Sequence, residues 1–122
     1  MPRKVSAQHR EAILDAALEC FSKRGFDATR VEDIARLAGV AKGSVYTYFK
    51  DKEALFQGLI ESTLLPLYRQ VQEIQRDKTL TLREKITRAA QPLLDDNGNS
   101  KSARVMRLFW SESLHNPAFV NT

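Results

Sequence analysis

The chain has 122 residues, 43% of them hydrophobic and 28% charged, with a net charge of +4 at neutral pH. That length permits one globular unit, or one small domain with part of a second, and no run of about 18 apolar residues offers a membrane span. The polar opening MPRKVSAQHR lacks the apolar core of a signal peptide, so the expected compartment is the cytoplasm with no membrane partner, and the single cysteine excludes an internal disulfide.

Helical spacing predicts a first helix from a Ser6 N-cap to Gly25, with Ile13, Leu14, Ala17, Leu18 and Phe21 as a continuous stripe onto which Phe26 folds back. Cys20 lies beside that stripe and reads as a buried or half-buried thiol. Thr29 and Glu32 stand three apart ahead of the next apolar run, the spacing of a reciprocal capping pair, so a helix is expected to begin at Arg30. Val31, Ile34, Ala35 and Ala38 then give one narrow apolar face, with Arg30, Glu32, Asp33 and Arg36 turned outward. Gly39 follows the last periodic residue, where a helix end favours positive φ, and Val40 reads as the buried plug of the turn.

A second short helix fits Lys42 to about Phe49, with Val45 and Phe49 for the core and Lys42, Ser44, Tyr46, Thr47 and Tyr48 left for solvent or a partner. At ~1.5 Å per residue it is ~10–12 Å long, close to the ~12 Å width of a B-DNA major groove. Gly43 costs this helix ~1 kcal/mol relative to alanine, and its missing side chain would let the backbone approach a phosphate or base edge. The alternative is a merely weak helix position.

Asp51 is a good N-cap for a longer helix, in which Leu55, Phe56, Leu59, Ile60, Leu64, Leu67, Val71 and Ile74 keep the rhythm to about Arg76. Pro66 in its interior predicts a bend or a split near Leu64–Leu65. Another helix fits Leu82–Leu94, with Pro92 loosening its end, followed by a loop from Asp95 to Ser100. A last helix fits Ser102–Leu114 before HNPAF breaks the pattern. The whole is all-α, with a three-helix helix-turn-helix domain of homeodomain-like form over 1–50 and a partial helical domain over 51–122.

Basic residues outnumber acidic by 10 to 7 through residue 52 and by 9 to 8 thereafter, an excess of +3 against +1. The difference is too small to identify a nucleic-acid binder, but placement is informative: Arg3 and Lys4 form a basic tail, and Arg30, Lys42, Lys50 and Lys52 bracket the second short helix. Enzyme chemistry has little to rest on. His9 and His115 have no acid or thiol at ligand spacing, no nucleophile has an arranged base, and no phosphate-cradling loop occurs, so neither metal nor cofactor is expected. Met106, Phe109 and Trp110 fit either plain core or the lining of a small-molecule pocket.

The stretch from Thr29 to Lys52 resembles the TetR family of bacterial transcriptional regulators. The resemblance is carried by Ile34, Ala35, Ala38, Gly39, Val40, Lys42, Gly43, Tyr46, Phe49 and Lys52, with Phe21, Gly25 and Phe26 upstream, and covers about residues 8–60. Ala41 stands where a serine or threonine often caps the recognition helix, and Tyr48 where histidine is frequent. RVMRLFWSESLHNPAF resembles the family's regulatory domain weakly. Members usually continue for several further helices, two of which form the dimer's four-helix bundle, so the expectation is a truncated form, with the homodimer belonging to the full-length protein; the alternative is a naturally short member that dimerises in another way.

The resemblance implies a repressor that binds a palindromic operator in double-stranded DNA and leaves it when a small-molecule inducer binds the C-terminal domain. Lys42, Gly43, Ser44 and Thr47 would face base edges, with Tyr46 on a phosphate or a thymine methyl. Thr29, Arg30, Tyr48 and Lys52 would hold the DNA backbone. The alternative is a helical module that docks a protein or ligand and merely retains the helix-turn-helix shape.

Overall fold

The computed structural model describes residues 3–116, with side chains from Gln8 on, and these residues form six helices and no strands. They run α1 (Arg3–Arg24), α2 (Val31–Ala38), α3 (Lys42–Tyr48), α4 (Lys52–Arg76), α5 (Leu82–Gly98) and α6 (Lys101–His115). Two compact units divide the chain, Met1–Leu59 and Ile60–Thr122.

The first unit is built on the α1 stripe. Ile13, Leu14, Ala17, Leu18 and Phe21 are almost wholly buried, and Val31, Ile34 and Ala35 of α2 and Val45 of α3 join them. Phe26 turns back as its position in the sequence predicts. Its ring lies 5.4 Å from that of Phe21 and 5.6 Å from that of Phe56, and Phe21 and Phe56 are 5.7 Å apart, the edge and tilted arrangements that aromatic quadrupoles favour. Leu55, Phe56 and Leu59 of α4 belong to this core, which is why the unit extends through the first turns of α4.

α1 is already helical at Arg3, ahead of the Ser6 cap that sequence favoured. It ends at Gly25, whose φ of 81° lets the chain turn sharply into the Phe26 loop. Another glycine serves packing instead. A Cβ on Gly58 of α4 would sit 2.8 Å from Phe49 Cε1 and 3.6 Å from Leu14 Cδ2, so the phenylalanine that closes α3 packs directly on the α4 backbone. The Arg10 guanidinium covers the same ring, 5.2 Å from its centroid.

α4 runs through Pro66 without the expected split. Proline removes one donor from the ladder, at a point where the helix surface is exposed.

In the second unit Thr81 caps α5: its hydroxyl accepts from Glu84 N–H at 3.2 Å while the Glu84 carboxylate accepts from Thr81 N–H at 2.9 Å. Regular helix stops at Leu94 as expected, because Asp95 is extended and Asp96, Asn97 and Gly98 follow with φ of 55°, 56° and 81°. Ser100 then caps α6, accepting from Ala103 N–H and donating to Pro92 O at 2.6 Å. Ala103, Val105 and Leu108 are buried, whereas Trp110 is 60% exposed and meets Phe109 edge to face at 6.0 Å. α6 ends at His115, and Pro117 to Phe119 of the expected break lie outside the described residues. Among the described residues, no helix is long and apolar enough to cross a membrane.

Candidate nucleic-acid interface

α2 and α3 are joined by a tight turn whose hydrogen bonds account for its shape. Gly39 adopts φ 74°, ψ 30°; its N–H donates to Arg36 O at 3.2 Å and Val40 N–H reaches back to Ala35 O at 3.0 Å. This is the paired 5→2 and 6→1 closure of a helix end by a left-handed glycine. Ala41 is the N-cap of α3 and has no side-chain acceptor, so only its carbonyl engages, accepting from Ser44 N–H at 2.9 Å. Val40 is half-buried rather than a fully buried plug.

The two faces of α3 separate cleanly. Val45 and Phe49 are buried at 0% and 5% exposure, while Lys42, Gly43, Tyr46 and Thr47 are exposed and Ser44 and Tyr48 half-exposed. The Thr47 hydroxyl donates to Gly43 O at 3.1 Å, which leaves its lone pairs outward. Nothing lies within 4 Å of a Cβ built on Gly43, so the fold itself does not require glycine there. Arg30, at the N-cap of α2, is exposed, as is Lys50 beyond α3.

Two residues placed on this interface by sequence are differently occupied. Thr29 is 2% exposed, and its hydroxyl donates to Gly25 O at 2.7 Å and Cys20 O at 3.1 Å. It therefore seals the end of α1 rather than capping α2, and the expected Thr29–Glu32 pair does not form. The cap of α2 lies one residue later: Asp33 Oδ2 accepts from Arg30 N–H at 3.4 Å, and the helix starts at Val31. Lys52 is half-buried, with its ammonium donating to Phe26 O at 2.8 Å and Asp27 O at 3.3 Å while lying 4.4 Å from the Phe26 ring centroid. The ammonium ties α4 to the α1–α2 loop.

Asp33 and Glu32, which sequence turned outward together, divide their work. Asp33, only 16% exposed, pairs with Arg24 at 2.9 Å and Arg36 at 3.6 Å besides capping α2. Glu32 reaches across to Lys42 at the start of α3. The shared hydrogen bond holds the Glu32 carboxyl below its ordinary value and raises the Lys42 ammonium. Burial pushes the Cys20 thiol up, helped by the Asp33 charge, which favours the protonated form. Spacing pointed to Thr29–Glu32 alone, because an arginine at the N-cap has no side-chain acceptor; the Gly58 contact left no local signal.

Residues 13–59 match the sequence profile of bacterial regulatory proteins of the tetR family. An uncharacterised HTH-type transcriptional regulator of Bacillus subtilis, YhgD, is 35% identical over 91 residues, which are 75% of this chain and 47% of the relative. The HTH-type transcriptional regulator RutR of Escherichia coli is 50% identical over 62 residues, 51% of this chain and 29% of RutR. Among solved structures, SmeT, the repressor of the Stenotrophomonas maltophilia multidrug efflux pump SmeDEF, superposes with a TM-score of 0.71 at 28% identity, over 90% of this chain and 55% of SmeT. The chain thus spans about half the length, or less, of the curated relatives it resembles. Its N-terminal unit is a TetR-family helix-turn-helix domain.

Proposed function

We propose that the chain is the DNA-reading part of a transcriptional regulator that binds a specific sequence in double-stranded DNA. One observation carries the reading: α3, seven residues and ~10 Å long, is held by Val45 and Phe49 with its polar face outward, in a size that fits a ~12 Å major groove. Lys42, Gly43, Ser44 and Thr47 read base edges, and Tyr46 meets a phosphate or a thymine methyl. Arg30 and Tyr48 hold the backbone. Lys52 adds its charge from behind the loop it ties.

In the full-length form, a cytoplasmic homodimer would place two such helices about one DNA turn apart, ~34–36 Å, on a palindromic operator. The regulator acts as a repressor, as SmeT does, and leaves its operator when a small-molecule inducer binds the C-terminal part. Support for assembly or ligand binding there comes from the exposed apolar side chains of Leu82, Ile86, Leu94, Trp110 and Leu114.

The test is a randomised-duplex selection with this chain and its Lys42→Ala/Tyr46→Ala variant at two salt concentrations. An enriched palindrome or half-site that the variant loses is the expected result. Absence of enrichment at both salts would overturn the DNA reading in favour of a protein- or ligand-docking module.

A further inference from the structure

We propose that Glu32 is a built-in competitor for DNA: its carboxylate occupies the Lys42 ammonium in the free protein, so that binding must exchange an internal ion pair for a phosphate or base contact. The inference rests on the DNA-binding reading of α3 and assigns a role to a residue on α2 that would itself touch no base.

Three observations carry it. Glu32 and Lys42 are joined across the α2–α3 turn, and their side chains remain 45% and 52% exposed, so the pair sits where a polyanion would approach. The N-cap amide of α2 is taken by Asp33, which accepts from Arg30 N–H and pairs with Arg24 and Arg36, so the Glu32 carboxylate, besides meeting its own backbone N–H, is left to reach Lys42. Lys42 is the first residue of α3, whose exposed face is the candidate reading surface. A carboxylate set against the leading cation of that surface lowers the positive charge presented to DNA. The hydrogen bond between them lowers the pKa of Glu32 and raises that of Lys42, so each holds the other in its charged form.

The physical consequence is a choice between two anions for one ammonium. A phosphate approaching α3 meets a carboxylate of its own sign beside the cation it seeks, so the contact forms only where other contacts hold the DNA in place. Non-specific binding, which rests on phosphate contacts alone, bears this penalty without recompense from base edges. Glu32 therefore widens the gap between operator and random DNA as well as weakening both.

The experiment measures affinity and its salt dependence on a selected site and on random duplex for the wild-type chain, Glu32→Gln, Lys42→Ala and the double variant. Glutamine keeps the shape and removes the charge. Glu32→Gln should bind both duplexes about two- to fivefold more tightly, random DNA gaining more, with a salt slope steeper by up to ~0.9, the value of one phosphate contact. In the Lys42→Ala background the same change should have much less effect, because its partner is gone.

An equal gain with and without Lys42 would reduce Glu32 to a general charge effect and overturn the proposal, as would an unchanged affinity in Glu32→Gln. If no duplex binds the wild-type chain at any salt, the DNA reading itself fails and the proposal with it. A carboxyl titration by NMR, free of DNA, keeps the two failures apart: Lys42→Ala should let the Glu32 acid rise toward its ordinary value, and no change there would remove the ion pair.

Discussion

The Lys52 ammonium and Phe26 meet twice, once at the ring, 4.4 Å from its centroid, and once at the carbonyl oxygen, 2.8 Å away. A single side chain on α4 thereby fixes both faces of the loop that leads from α1 to α2. Lys52→Ala should cost the fold about 1–2 kcal/mol, from a lost charged hydrogen bond and a lost cation–π contact, before any DNA is present. Chemical denaturation of the DNA-free protein checks this. An unchanged midpoint together with weakened DNA binding would return Lys52 to a purely phosphate-holding role.

Thr29 offers the converse comparison. Thr29→Val keeps the shape and removes the donor that serves the carbonyls of Cys20 and Gly25, so stability should fall by about 1–2 kcal/mol. The salt dependence of DNA binding, measured well below the unfolding midpoint, should not change, because the hydroxyl points into the protein.

The glycines at 39 and 43 should respond in opposite directions. Gly39→Ala forces an L side chain into φ 74° and should destabilise the unit by about 1–2 kcal/mol even though the site has room. Gly43→Ala meets no neighbour and should leave stability unchanged or raise it by up to ~1 kcal/mol. Any loss of DNA affinity in that variant would then report a close approach of DNA to the α3 backbone. Thermal melts and binding curves of the two variants supply both readings.

Acid should loosen the start of α5. The Glu84 carboxyl is held below its ordinary 4.5, first by Thr81 N–H and then by the Thr81 hydroxyl. A depressed folded-state acid contributes stability above the unfolded value and loses it as pH falls through the folded one. Helix content in the second unit should therefore decline as pH drops below 4.5. Thr81→Ala should raise the acid of Glu84 and shrink that acid-dependent loss, which residue-resolved NMR titration would follow.

Much of the first unit was readable from spacing alone. Val31, Ile34 and Ala35 form the inward face of α2, Val45 and Phe49 that of α3, and Gly39 closes the first of these helices, because period and positive φ are local properties of the chain. What spacing could not show is that the cap of α2 forms one residue later than Thr29–Glu32, with Asp33 accepting from Arg30 N–H. The choice fell to tertiary partners: carbonyls at the end of α1 drew the Thr29 hydroxyl inward, and Arg24 and Arg36 drew Asp33. The bonds of Lys52 were hidden for a similar reason, since a basic residue beside α3 looks the same in sequence whether it faces a phosphate or a carbonyl. Gly58 gives no sign of itself until the Phe49 ring is seen 2.8 Å from where its Cβ would be.

Trp110 is the chain's one tryptophan, it stands in the second unit, and it is 60% exposed against Phe109. Two of the three tyrosines, Tyr46 and Tyr48, are on α3. The molecule thus carries its own optical labels. Indole emission reports from the second unit, while phenol absorbance is weighted toward the helix proposed to meet DNA. Unfolding curves recorded through these two channels would coincide if the units melt together and separate if each keeps its own cooperativity.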